Sequence, residues 1–344
     1  MQKINVNGAD FKTFSYLKAN ETEIKIPDIV KNDFYEKSDN FSDKLDTESF
    51  KGGISKEALI LNKKYRNLYK IWTAKSEKSE KYTLKLKTNS DYPYLFDRHD
   101  IISEENAHLT VILDYRSENT ETFRNSVIYI KGEKNSETNV FIIQKEDKKA
   151  FSLESIIVVT EDNAKVDVCQ YELGAGKFYG NCRCNLTGRS SKANINSIYL
   201  GRNDDIINLS YNVTHMGEKS DSHILINGAL KDHADKMLKS NLDFKKGAKK
   251  AKGTEEEYTV LLDDSVLNLS VPLMLCREDD VEGNHAASAG KIDENTLFYI
   301  MSRGFSIEDA QALIIESKFA GAIDKIKDKK IERELRETVL ERMK

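Results

Sequence analysis

NVFIIQKEDKKAFSLESIIVVTEDNAKVDVCQYEL, residues 139 to 173, holds three apolar runs separated by short charged turns. "NVFIIQKE", "SIIVVTE" and "KVDVCQYEL" are rich in β-branched and aromatic residues and too short for stable helices, so each reads as a strand. The pattern continues upstream through "YTLKLK", "AHLTVILDY" and "NSVIYI". Downstream it runs through "NINSIYLG", "IINLSYNVT", "HILINGAL", "MLKSNLDF", "YTVLLDD" and "LSVPLMLC". Together these define a β zone from 81 to 284, with turns of Gly, Asn, Asp, Ser and Lys and only Pro93 and Pro272 inside it. No alternating strand–helix rhythm interrupts it, which argues against a doubly wound sheet. A sandwich, a barrel and a solenoid all fit such a run. About twelve strands is many for one sandwich, and turn signals every ten to fourteen residues suit stacked coils, so the solenoid is favoured. No clean hexapeptide repeat marks it.

The flanks differ from this core. Residues 1–80 are mixed, rich in Lys, Glu and Ser, with a loop "EKSDNFSDKLDTESFKGG". "SKEALILNKKYRNLYKIWTA" predicts a helix over 55–74, with Ser55 as N-cap and Leu59, Leu61, Tyr65, Leu68, Tyr69 and Trp72 near helical spacing. Residues 285–344 form a C-terminal region whose helical pattern starts near 291. In "DENTLFYIMSRG", Leu297, Phe298, Ile300 and Met301 share a face and Gly304 supplies a left-handed stop. Ser306 and Asp309 then make a capping box for a second helix. Its narrow seam comprises Ala310, Leu313, Ile314, Ser317, Ala320 and Ala322, continued by Ile323 and Ile326. A last charged helix carries Ile331, Leu335 and Val339 four apart. These helices either cap the open end of the β domain or dock a partner.

Composition narrows the class. The 344 residues are 39% apolar and 32% charged with a net charge near −4, as in a soluble globular chain with neither a nucleic-acid footprint nor a membrane patch. No run reaches the roughly 18–20 apolar residues of a membrane span, and the N-terminus lacks a signal-peptide core, so a cytoplasmic location is expected. Cys169, Cys182, Cys184 and Cys276 form no C-x-x-C pair and no disulfide framework. There is no nucleophile elbow, Walker A loop or H-E-x-x-H, so no enzyme activity is expected and any ATP hydrolysis must come from a partner.

The stretch "VPLMLCREDDVEGNHAASAGKIDENTLFYIMSRGFSIEDAQALII" closely resembles the C-terminal signature of the SufB/SufD family of iron–sulfur cluster assembly proteins. "NVTHMGEKSDSHILINGALKDHADKMLKSNLDFKKGAKKAKGTEEEYTVLLDDSV" resembles the family's core, and "FSYLKANET" matches it loosely. The resemblance implies a right-handed parallel β-helix core with helical N-terminal and C-terminal regions. It also implies a scaffold role in a complex with an ABC ATPase, SufC, which binds the C-terminal helices. A transient iron–sulfur cluster, not held by the isolated chain, would be built between subunits from iron and the sulfur of a donor system. The β-core would pair as a homodimer or as a heterodimer with a SufB/SufD homologue. His285 matches the family's histidine between core and helices. The SufB pattern has Glu after that histidine, where this chain has Ala286, and a cysteine where alignment on Pro272 puts Val266. Both departures make the chain SufD-like or an undifferentiated member.

The candidate ligands follow. Imidazole suits iron and thiolates are the usual cluster ligands; the resemblance points to His285 and to Cys276, which lies where some but not all SufB sequences carry a cysteine, with Glu282, Asp279 and Asp280 as nearby carboxylates. Gly283, Ala286, Ala287, Ser288, Ala289 and Gly290 would let another subunit approach closely. The competing reading leaves His285 as a hydrogen-bonding residue in an interdomain turn. Cys182 and Cys184 share one face of a strand, as a persulfide relay, a metal-ligand pair or, more simply, core residues. His215, His223 and His233 converge only if stacked coils bring them together, and "KKGAKKAKG" (245–253) reads as a solvated turn. Two other functions compete: a metal-free structural β-solenoid partner, and a carbohydrate-active β-helix enzyme, which would need an extracellular route.

Overall fold

The computed structural model describes residues 2–12, 19–31, 33–34, 45, 50 and 52–344. The stretch "FSYLKANET" and the loop over 36–53 fall largely outside them. An antiparallel hairpin of β1 (Gln2–Val6) and β2 (Thr22–Ile26) precedes helix α1 (Lys56–Tyr65). Two eight-stranded parallel sheets follow. The first sheet contains β3 (Leu68–Ala74), β5 (Tyr94–Ser103), β7 (Thr122–Gly132), β9 (Ala150–Thr160), β11 (Lys177–Leu186), β13 (Ile206–His215), β15 (Asp235–Phe244) and β17 (Leu267–Cys276). The second contains β4 (Ser79–Thr88), β6 (His108–Ser117), β8 (Glu137–Lys145), β10 (Lys165–Glu172), β12 (Lys192–Gly201), β14 (Asp221–Leu230), β16 (Ala251–Leu261) and β18 (Val281–Gly290). Because the chain alternates between the two sheets, it winds as a parallel β-solenoid. Neither a sandwich nor a closed barrel is formed.

Successive turns advance by 26 to 32 residues, as in the register partners Phe151–Lys177 and Asp235–Leu267. That drift explains why no fixed repeat shows in the sequence. The corners are more regular. Asn106, Asn135 and Asn163 each take a left-handed conformation, which Asn tolerates better than most residues, and their side-chain amides bond one to the next at 3.0 Å. The lumen is filled by alternate residues such as Val166 and Val168, Ile195, and Leu209 and Val213. Each such fully buried aliphatic side chain contributes about 1.5–3 kcal/mol.

Both outer faces are partly covered. The hairpin and α1 pack Ile4, Val6, Ile24 and Leu61 on an aromatic row of the first sheet, Phe96, Phe123, Phe151 and Tyr179. Ser55 caps α1 as expected, by accepting from the Ala58 amide at 3.1 Å. The helix predicted over 55–74 stops at Tyr65, however, and Leu68–Ala74 is strand β3. Leu68 and Tyr69 are both buried although they point to opposite faces, so the run mimics helical spacing.

Three helices complete the chain: α2 (Glu294–Met301), α3 (Ile307–Ile323) and α4 (Lys329–Met343). Gly304 ends the first with φ of 97°, and Ser306 accepts from the Asp309 amide to cap the second. The helices α3 and α4 do not cap the open end. They lie against the outside of the second sheet, where Ala312, Ile315, Phe319, Leu335 and Val339 meet Phe141, Ile143, Tyr171 and Ile198. The buried seam of α3 is therefore rotated from the predicted one, keeping Ala310, Ala322 and Ile323 but leaving Leu313 partly exposed.

Candidate functional site

The last turn of the solenoid, formed by β17 and β18, has a strand neighbour on one side only among the described residues. Its other edge presents unpaired backbone N–H and C=O groups. Strand β18 is exposed along nearly its whole length, although it pairs with β16 from Ala251–Val281 to Val260–Gly290. The sequence reading placed His285 at a seam between strands and helices. It lies instead in the middle of β18, because pairing with β16 carries a Gly-, Ala- and Ser-rich run of low β propensity into the sheet.

Register decides which candidate ligands share a side. Glu255 and Glu257 of β16 face the lumen, and His285 is the direct partner of Glu255, so His285 is lumen-facing and exposed only because its turn is the last. Cys276 is the partner of Phe244, a lumen residue, and is likewise lumen-facing and exposed. Glu282 is the partner of Lys252 and forms a 2.9 Å ion pair with it on the outside, apart from His285. Asp279 and Asp280 lie in the turn between β17 and β18. No three His, Cys, Asp or Glu side chains gather as a metal-binding group among the described residues.

The cysteines of β11 sit elsewhere. Cys182 and Cys184 do share a face, and it is the lumen face, where both are fully buried. Their strand lies three turns from β17, about 14 Å along the axis at the usual strand spacing. The hydrogen bond between the two thiols, together with burial, raises the Cys182 pKa well above the thiol range, so it is held as thiol rather than thiolate. Cys169 faces outward beneath the C-terminal helices, and burial pushes it up to about 12.

The three central histidines do not converge. His215 is buried, stacked on Phe244 and bonded to Ser220 Oγ at 2.8 Å and Ser222 Oγ at 2.9 Å. Burial lowers its pKa to about 4. His223 pairs with Glu256 at 2.8 Å on the outer face, and His233 is exposed in a turn.

What sequence reasoning missed is the polar lining of the lumen. Arg124 is buried between Glu146, at 3.1 Å, and Glu154, at 2.9 Å. Glu172 accepts from Tyr211 at 2.9 Å and Ser197 at 3.0 Å, and burial pushes its pKa up to about 8. Lys236 bonds Glu257, Asn268 at 3.0 Å and Ser270 at 2.8 Å. At the open end, Ser240 donates to Glu255 Oε1, while Oε2 is buried with no hydrogen-bond partner among the described residues. The signal was present in "KVDVCQYEL", where Gln170 and Glu172 continue the alternation of Val166 and Val168. Polar residues in phase with a core are anomalous.

Beside this end, α2 has no buried residue. Phe298 is 74% exposed, and Tyr299, Met301, Phe305 and Ile307 extend the apolar surface. A groove of about 610 Å³ separates α2 and α3 from β16 and β18, lined in part by Tyr258, Ile292, Ile300, Leu313 and Ile314. Apolar patches of this kind on a soluble protein mark interaction sites.

Comparison with known proteins bears on this arrangement. Residues 86–318 match the sequence profile of the family described as "SUF system FeS cluster assembly, SufBD core domain". The iron–sulfur cluster assembly protein SufD of Bacillus subtilis is 30% identical over 151 residues, which cover 44% of this chain and 35% of that protein. An iron–sulfur cluster assembly SufBD family protein of Staphylococcus saprophyticus is 24% identical over 229 residues, covering 66% of this chain and 49% of that protein. A Staphylococcus epidermidis family member matches over the same length at 23%. The matched segments thus span half or less of these relatives.

Proposed function

Because the chain belongs to the SufBD family of the SUF iron–sulfur cluster assembly system, we propose that it is a scaffold subunit on which clusters are assembled beside a SufC-like ABC ATPase. The observation that carries this reading is the terminal turn. It offers an imidazole, His285, and a thiol, Cys276, on the lumen side of an unpaired strand edge. Such an edge favours strand addition from a second β-core, either another copy of this chain or a SufB/SufD homologue. Pairing there would bring the partner's ligands towards His285 and exclude water from the cargo. With Ala286 where the SufB pattern has Glu, this chain supplies only part of a ligand set, so the cluster is shared between subunits.

The exposed aromatic face of α2 is the surface proposed for the ATPase. Helices α3 and α4 spend their apolar faces on the solenoid, whereas Phe298 and Tyr299 remain free of such packing. Closure of the ATPase would pull on α2, which is joined directly to β18 through Lys291–Asp293, and so would act on the strand that carries His285. No helix among the described residues is long and apolar enough to cross a membrane. On the scaffold reading, iron and sulfide arrive as cargo from separate donors.

Iron and acid-labile sulfide analysis of the complex purified without air tests the reading. A scaffold retains both after incubation with iron and a sulfur donor. A metal-free structural partner retains neither.

A further inference from the structure

Among the described residues, Glu255 is the one lumen carboxylate at the open end with a buried oxygen left unpartnered. It is only 3% exposed, Ser240 satisfies Oε1, and Oε2 has no partner among the described residues. Lys236 does not compensate it, being engaged by Glu257, Asn268 and Ser270 one step deeper. A buried carboxylate oxygen without a donor or counter-charge costs several kcal/mol, so something must answer it. The next side chain towards the open end, on the same lumen side and in register, is His285. A carboxylate and a neutral imidazole make a donor pair suited to a divalent first-row metal ion.

We propose that Glu255 Oε2 and His285 together form a half-site for a divalent iron-type cation at the mouth of the lumen, open to further ligands on its outer side. The proposal rests on the scaffold reading of His285 and deepens it by naming the second ligand this chain contributes. Glu282, the nearest carboxylate in sequence, is excluded because it faces outward to Lys252.

Titration of the full chain with Co²⁺, followed by its ligand-field absorption and by calorimetry, tests this. The wild type should bind one Co²⁺, with Glu255→Gln and His285→Ala each weakening binding at least tenfold and Glu282→Gln leaving it unchanged. Metal should raise the melting temperature of the wild type but not of Glu255→Gln, whose metal-free form should melt at or above the wild type because the buried charge is gone. Glu255→Asp, with its carboxylate withdrawn by one methylene, is the second variant and should also bind at least tenfold more weakly. If Glu255→Gln and Glu255→Asp bind like the wild type while His285→Ala loses binding, Glu255 is no ligand, its free oxygen is met by a proton or a water, and the His285 reading survives. If His285→Ala also binds normally, or the wild type binds no Co²⁺ at millimolar concentration, the half-site is overturned together with its premise.

Discussion

His285 sits directly beside Glu255 in the parallel register of β18 and β16, the two side chains facing the same lumen. This relationship links the exposed end of the solenoid to its polar interior. It also separates two kinds of residue that look alike in sequence: those of the terminal turn, which can meet a partner, and those buried three turns away, which cannot.

The buried carboxyl of Glu172 makes stability depend on pH. Its folded pKa is about 8, against an ordinary 4.5, because burial disfavours the charged form. The folded state therefore holds a proton that the unfolded chain releases, so this group's contribution is intact below pH 4.5, falls as pH rises through about 8, and is flat above. Glu172→Gln should remove that slope and stabilise the chain at pH 9 by a few kcal/mol, at about 1.4 kcal/mol per pKa unit. Urea melts at pH 5 and pH 9 measure it, and equal wild-type and variant slopes would contradict the assignment.

Arg124 is flanked by two buried carboxylates. Arg124→Met leaves Glu146 and Glu154 without their counter-charge, which should cost about 3–5 kcal/mol. Chemical denaturation gives the number directly. A loss below about 1 kcal/mol would mean that the pair is solvated rather than sealed in the lumen.

The C-terminal helices divide into a packed part and a presented part. Phe319 is buried against the second sheet, so Phe319→Ala should cost about 3–5 kcal/mol. Phe298→Asp, on the exposed face of α2, should leave the melting temperature unchanged but, on the proposed docking, abolish co-purification with a SufC-like ATPase. Retained ATPase binding would move the docking surface away from α2.

Much of the fold was legible because strand alternation and turn residues are local signals. The alternating runs from "YTLKLK" to "LSVPLMLC" all became strands, and the caps at Ser55, Gly304 and Ser306 formed as expected. Other features depended on what packs from outside. Leu68–Ala74 is buried or half-buried on both faces, which erases the period-two signal that would have marked it as strand β3. The helices found a sheet face rather than the solenoid's end because Phe141, Ile143, Tyr171 and Ile198 supply an apolar outer surface that alternation alone does not assign to either side.

The site was legible only in part. His285 and Cys276 are marked by the family resemblance rather than by residue type, and both occupy the terminal turn. Glu282 is near His285 in sequence but faces outward to Lys252, because sides alternate along a strand. Glu255 was invisible because "EEE" at 255–257 reads as a solvated face until register places its first and third members inside.

The most direct measurement is anaerobic reconstitution of the complete complex with iron and sulfide, comparing wild type with His285→Ala by cluster yield and visible spectrum. The account predicts that the variant assembles with normal stoichiometry, yet yields at least several-fold less cluster with an altered spectrum. Unchanged yield and spectrum in a properly assembled variant would show that His285 is not a ligand, and that the open end of this solenoid is not where the cluster is built.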